Sequence, residues 1–193
     1  MSVTLTTIET LTRYLLDETS KTQVPGDIFT YGSSKIFTLT ESNPISVSDV
    51  LVNDESSGVV YSFNSSRNKV TITSSLTSGD TIEIQYSYYA NYSSSEIANY
   101  IRSAIVHLSV NGYYTFEIGT NQVIYPEPDE NEKNLIALIA AILIEPNNKM
   151  YRLPDITIQV PNNLSKDDMI RKAIAIFKLS GGGASNGGVW VLC

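Results

Sequence analysis

The sequence predicts an α+β protein: a helical bundle scaffold, an inserted small antiparallel β sandwich or barrel, and a flexible C-terminal arm. Three observations predict it. Apolar residues recur at steps of three and four in three separate stretches. Between the first two stretches lies a segment rich in Ser, Thr, Asn, Tyr, Val and Ile whose apolar residues alternate with polar ones. A Gly-rich run then leads into a short apolar tip at the end of the sequence. On this reading 1–26 and 93–180 are the scaffold with short strands, 27–92 the inserted β module and 181–193 the arm.

The first helix is expected over 6–18. Leu5, Ile8, Leu11, Leu15 and Leu16 follow its spacing, and Thr6 with Glu9 has the spacing of a capping box. Val24-Pro25-Gly26 reads as the turn that ends this region. Strand patterns follow in Ile36-Phe37-Thr38-Leu39-Thr40, Val59-Val60-Tyr61-Ser62-Phe63, Lys69-Val70-Thr71-Ile72-Thr73 and the run from Thr81 to Tyr88. Turn residues separate them at Ser42-Asn43-Pro44, Asn53-Asp54, Ser66-Arg67-Asn68 and Ser78-Gly79-Asp80. This spacing suits five to six strands.

Ser93 with Glu96 opens a second helix, with Ile97, Ile101, Ala104, Ile105 and Leu108 on one stripe and Asn111-Gly112 at its end. Short strands are expected over 113–118 and 121–125, ended by Pro126 and Pro128. Asp129, Glu130 and Glu132 place negative charge at the start of a third helix, where the macrodipole favours it. That helix is apolar on every side over 135–144, which implies burial on all faces by its own domain or by neighbouring subunits. A strand over 155–160 precedes a fourth helix opened by Ser165 and Asp168. Met169, Ile170, Ala173, Ile174, Ile176 and Phe177 face inward, and Lys166, Arg171, Lys172 and Lys178 outward. Val189-Trp190-Val191-Leu192-Cys193, with the only Trp, closes the arm.

The 193 residues suffice for a core without disulfides or metal, since a chain of this size buries about 70% of its unfolded surface. Cys193 is the only cysteine, which excludes a disulfide within the chain. With 13 Lys+Arg against 20 Asp+Glu the net charge is −7, and the pI of 4.7 argues against a protein that grips phosphates. The first residues lack the regions of a secretory signal. The longest apolar run is half of the roughly 20 residues that span a bilayer.

Catalytic chemistry finds few candidates. His107, the only histidine, fits a helix end better than a triad that lacks its other members. Glu127 with Asp129 and Asp167 with Asp168 are carboxylate pairs, but acidic residues belong at helix starts. Asn53-Asp54-Glu55 lacks the further ligands of a calcium loop, and Gly181-Gly182-Gly183 lacks the Lys-Ser/Thr of a phosphate loop. No catalytic residue, metal or cofactor is expected. The band Tyr86, Tyr88, Tyr89, Tyr92 and Tyr100 admits stacking on sugars or bases, with ordinary sheet packing as the plainer reading.

The order of elements resembles the head-to-tail connector, or adaptor, proteins of tailed bacteriophages. The capped first helix, the stretch 93–112, the apolar helix 135–144, the basic-faced helix 165–180 and the trailing arm carry the resemblance. The strand patterns Ile36-Phe37-Thr38-Leu39 and 78–86 also look like small β modules of phage structural proteins. The resemblance implies a non-enzymatic virion protein made in the host cytoplasm and placed in the neck. Copies, usually about twelve, form a ring under the portal and meet the next neck or tail protein, and double-stranded DNA passes through without specific binding; no membrane is involved. It also implies an arm that docks on the portal through Gly181, Gly182, Gly183, Val189, Trp190, Val191 and Leu192, disordered until it docks, with Trp190 as anchor. The alternative from the residues themselves is a carbohydrate-binding β module of a phage tail or surface protein, using Tyr86, Tyr88 and Tyr89.

Overall fold

The computed structural model describes residues 2–56, 58–146, 150–152, 156–159, 164–179 and 188–191. In chain order these form α1 (Leu5–Leu15), β1 (Lys21–Thr30), β2 (Ile36–Thr38), β3 (Pro44–Val52), β4 (Tyr61–Asn64), β5 (Lys69–Ile72) and β6 (Thr81–Tyr88). They continue with α2 (Ser94–Val110), β7 (Glu117–Ile118), β8 (Ile124–Tyr125), α3 (Glu130–Ile144), β9 (Met150–Arg152), β10 (Ile156–Gln159), α4 (Lys166–Leu179) and β11 (Gly188–Val191). The protein is α+β. It divides into a helical unit, Met1–Asp17 with Ser94–Cys193, and a β unit, Glu18–Ser93.

In the helical unit, α1 buries Leu5, Ile8 and Leu15. The expected Thr6–Glu9 box is absent: Thr4 occupies the N-cap position, and its hydroxyl meets the Thr7 hydroxyl at 3.3 Å and caps no backbone N–H. Glu9 is engaged one turn further on, where its Oε1 accepts from Arg13 Nε at 2.9 Å and lies 2.8 Å from Nη2. Arg13 is itself buried and also donates to Ser94 Oγ at 3.4 Å, so this pair lies inside the unit and not on its surface. Thr12, also buried, satisfies its hydroxyl on the Ile8 carbonyl at 2.9 Å.

Helix α2 buries Ile97, Ile101, Ala104, Ile105 and Leu108, the stripe that the spacing predicts. Gly112, at φ 63°, ends it. Its N–H reaches the Ser109 carbonyl and that of Tyr113 reaches Leu108, the paired bonds of a left-handed helix stop. The expected strands over 113–118 and 121–125 shrink to the two-residue β7 and β8, because Asn121 and Gln122 both take φ of 61° and turn the chain.

Helix α3 starts on a capping box between Asp129 and Glu132, each side chain bonded to the other's backbone N–H at 2.8 Å. Every residue from Leu135 to Leu143 is buried. Helices α1, α2 and α4 all pack against it, so the chain's own unit encloses it and no neighbouring subunit is needed for that burial. Helix α4 contributes Met169, Ile170, Ala173, Ile174 and Phe177, while Ile176 stays half-buried. Ser165 opens it, accepting from the Asp168 N–H at 3.2 Å.

The β unit holds two three-stranded antiparallel sheets, ordered β1-β6-β3 and β2-β5-β4. One core serves both. Val50, Ile82, Ile84 and Tyr86 come from the first, Phe37, Val70 and Ile72 from the second, joined by Leu39. The expected turns contain Asn43, Asn53, Asp54, Asn68 and Gly79 at positive φ, which these residue types tolerate.

Two strands depart from the sequence reading. Strand β1 begins at Lys21 and runs through Val24-Pro25-Gly26, the expected turn. The ladder moves from Gln23 opposite Tyr86 to Asp27 opposite Ile84, so the three intervening residues form a bulge within the strand. A Cβ on Gly26 would lie 2.2 Å from the Ile84 carbonyl oxygen, so only glycine allows this close approach. For strand β3 the sequence offers only the turn signals at its two ends. Its pairing shifts between Pro44 and Ser46 and again between Val47 and Asp49, which breaks the alternation that would reveal it. The β unit therefore starts at Glu18, earlier than residue 27. The Glu18 carboxylate, nearly buried, accepts from the backbone N–H groups of Asn91 at 2.9 Å and Tyr92 at 3.0 Å. The chain's entry into the unit is thereby tied to its exit.

Candidate functional site

The residues that the sequence singles out for docking meet the structure at a small sheet ordered β11-β10-β9. Strand β9 runs antiparallel to β10, and β11 runs parallel to it. Parallel neighbours need a long crossover, and α4 supplies one. Val189, Trp190 and Val191 lie in β11, paired in register with Thr157, Ile158 and Gln159. Gly181, Gly182, Gly183 and Leu192 lie outside the described residues. The expected free tip is corrected for 188–191, which sit on an edge of the chain's own sheet. The Val-Trp-Val run has strong strand preference, and β10 presents it with an edge that β9 leaves open.

The basic face of α4 is also put to local use. Lys178 Nζ donates to the carbonyls of Asn111 at 3.3 Å and Gly112 at 3.2 Å, just past the end of α2, and lies 5.9 Å from the Tyr113 ring centroid. Lys166 Nζ reaches the Leu143 carbonyl in the last turn of α3 at 3.4 Å. Two of the four outward cations thus cover carbonyl ends of other helices, where the macrodipole favours positive charge. Burial raises the Tyr113 hydroxyl's pKa, with the charges of Glu132 and Asp129 adding to the rise.

The carboxylate pairs are placed for structure. Asp129 caps α3, and Asp168 accepts from the Ser165 hydroxyl at 2.5 Å. Half-buried His107 lies near the end of α2, and its carbonyl accepts both the N–H and the side-chain amide of Asn111. Among the described residues, no group of three or more His, Cys, Asp or Glu could hold a metal ion.

The tyrosine band disperses. Tyr86 is fully buried in the core of the β unit, where no ligand can stack on it. Its hydroxyl donates to Asp27 Oδ2 at 3.0 Å and accepts from the Glu41 N–H at 3.1 Å, and burial pushes its pKa up to about 12. Asp27 Oδ2 also accepts from the Thr40 N–H at 2.6 Å. Tyr88 and Tyr89 are half-buried, Tyr88 with its ring 6.1 Å from that of Tyr86. The sugar-stacking set of Tyr86, Tyr88 and Tyr89 is thus corrected at its first member: period two turns alternate residues of β6 inward, and Tyr86 follows Ile82 and Ile84 on that face.

Glu18, Asp27 and Gly26 organise the β unit in roles that the sequence does not announce. Asp27 and Gly26 adjoin a proline that signals a turn, and Glu18 stands where the first helix was expected to end. No helix among the described residues is long and apolar enough to cross a membrane. The chain matches no model of a known protein family, and no curated protein matches it.

Proposed function

We propose that this chain is a structural virion protein: a ring-forming adaptor between the portal of a tailed-phage head and its tail, without catalytic activity. The observation that carries this reading is the order and closure of its elements. A helix leads into a β unit tied off by Glu18, then come a second helix, an enclosed apolar α3, a basic-faced α4 and an edge strand reached through a Gly-rich run. The reading makes the helices a bundle that meets the portal and neighbouring copies, and the two sheets a small sandwich facing outward or toward the next neck or tail protein. The net charge of −7 supports it, because a channel wall poor in free cations leaves DNA phosphates mobile. Strand β11 is the element that changes partner on assembly. The burial of Tyr86 weakens the carbohydrate-binding alternative.

Negative-stain microscopy of the purified chain, alone and with portal from the same virion, tests the proposal. Rings of about twelve copies seated on the portal are expected. A chain that neither closes into rings nor joins the portal at micromolar concentration overturns it.

A further inference from the structure

We propose that β11 is an exchangeable strand whose second seat is β10 of a neighbouring copy of this chain. The inference rests on the ring reading and makes a neighbouring copy, not the portal, the receiver of the arm.

Three observations lead to it. First, among the described elements β10 alone packs substantially against β11, and it does so through a parallel ladder of four register pairs. Parallel pairing is the weaker kind per residue, so this is a lightly held element. Second, the edge is undefended. The described strands read Ile-Thr-Ile-Gln and Gly-Val-Trp-Val, without the Lys, Pro or bulge that blunts an edge against foreign strands. Third, the tether between α4 and β11 is short: residues 180–187, with Gly181, Gly182, Gly183 and Gly187 among them. Eight residues reach at most about 28 Å when extended.

Every copy carries the same β10, so the seat shown within one chain is complementary to β11 of any other. A strand tethered through only eight residues faces its own seat at an effective concentration of about millimolar, which favours self-pairing in dilute solution. Copies held side by side reach that range, and exchange around a closed ring fills every seat. The ladders are conserved in number, yet each then joins two subunits.

Cysteine pairing distinguishes the two seats. In a Cys193→Ser background, Thr157→Cys and Val189→Cys sit at register partners on adjacent strands, whose spacing of about 4.8 Å suits a disulfide. The double variant, oxidised when dilute, should close within the chain. An equimolar mixture of the two single variants, concentrated toward millimolar and then oxidised, should give mixed disulfide dimers several-fold above the homodimers of either variant alone. If the double variant closes but the mixture gives no such excess, exchange is refuted. Gln159→Cys with Val191→Cys, another register pair, repeats the test should the first pair fail to fold. Microscopy of the mixture keeps the two proposals apart: rings without mixed disulfides overturn exchange alone, and mixed disulfides without rings overturn the ring alone.

Discussion

Helix α3 and the β unit are held together by different means. Around α3 the fit is apolar throughout, with Leu135 to Ile142 wholly removed from solvent and three helices against it. The β unit has a comparable apolar centre, yet its edges are fixed by side chains bonded to backbone. Asp27 holds Thr40, Asn53 holds Thr81, Asp80 holds Thr77 and Glu18 holds Asn91 and Tyr92. Apolar enclosure tolerates apolar substitutions that keep volume, whereas a unit pinned through particular polar atoms tolerates few changes at those positions.

The largest break falls on the enclosed helix. Leu138→Ala removes most of a fully buried side chain and should cost about 2–5 kcal/mol in the helical unit. Hydrogen exchange read by unit should show lost protection in α1 to α4 with the β1–β6 amides unchanged. A uniform loss across both units would mean that they melt as one block. Gly26→Ala is the reciprocal change. Its methyl carbon has no room before the Ile84 carbonyl, and a cost of about 1–3 kcal/mol confined to the β unit is expected. Protection lost in α3 instead would contradict the contrast.

The smallest effect is electrostatic. The Thr77 N–H and then Asn53 hold the Asp80 carboxyl below its usual range, and the Gly26 N–H and then Gln85 do the same for Glu83. A lowered folded-state pKa contributes stability that is complete above the ordinary carboxylate range and is lost as pH falls through and below it. Acid titration followed by NMR should therefore loosen the β unit near residues 77–83 slightly, and both carboxyls should titrate below free aspartate and glutamate. Values at or above those references would remove these two carboxylates from the comparison.

The same contrast explains what could be read in advance. The stripe of α2 and the all-apolar run of α3 appear in the sequence because burial there follows a regular period. Strands β2, β4, β5 and β6 were equally plain. Strands β1 and β3 are hidden in the sequence because bulges interrupt their alternation, and Pro25 and Pro44 imitate turns. At the candidate site, composition marks the arm but not its seat, since parallel pairing joins β10 to a strand far along the chain and leaves no local signature. The Thr6–Glu9 box failed because the helix starts earlier, with Thr4 at the N-cap and Thr6 already inside the first turn, a shift that spacing alone does not reveal.

The Glu18 tie has an evolutionary corollary. Because one side chain fastens the two crossing points of the β unit, everything between them can be lengthened, traded for another module or trimmed to a short loop without rerouting the helices. Lineages built on this plan would then diversify fastest in that cassette, while the residues around α3 drift slowly.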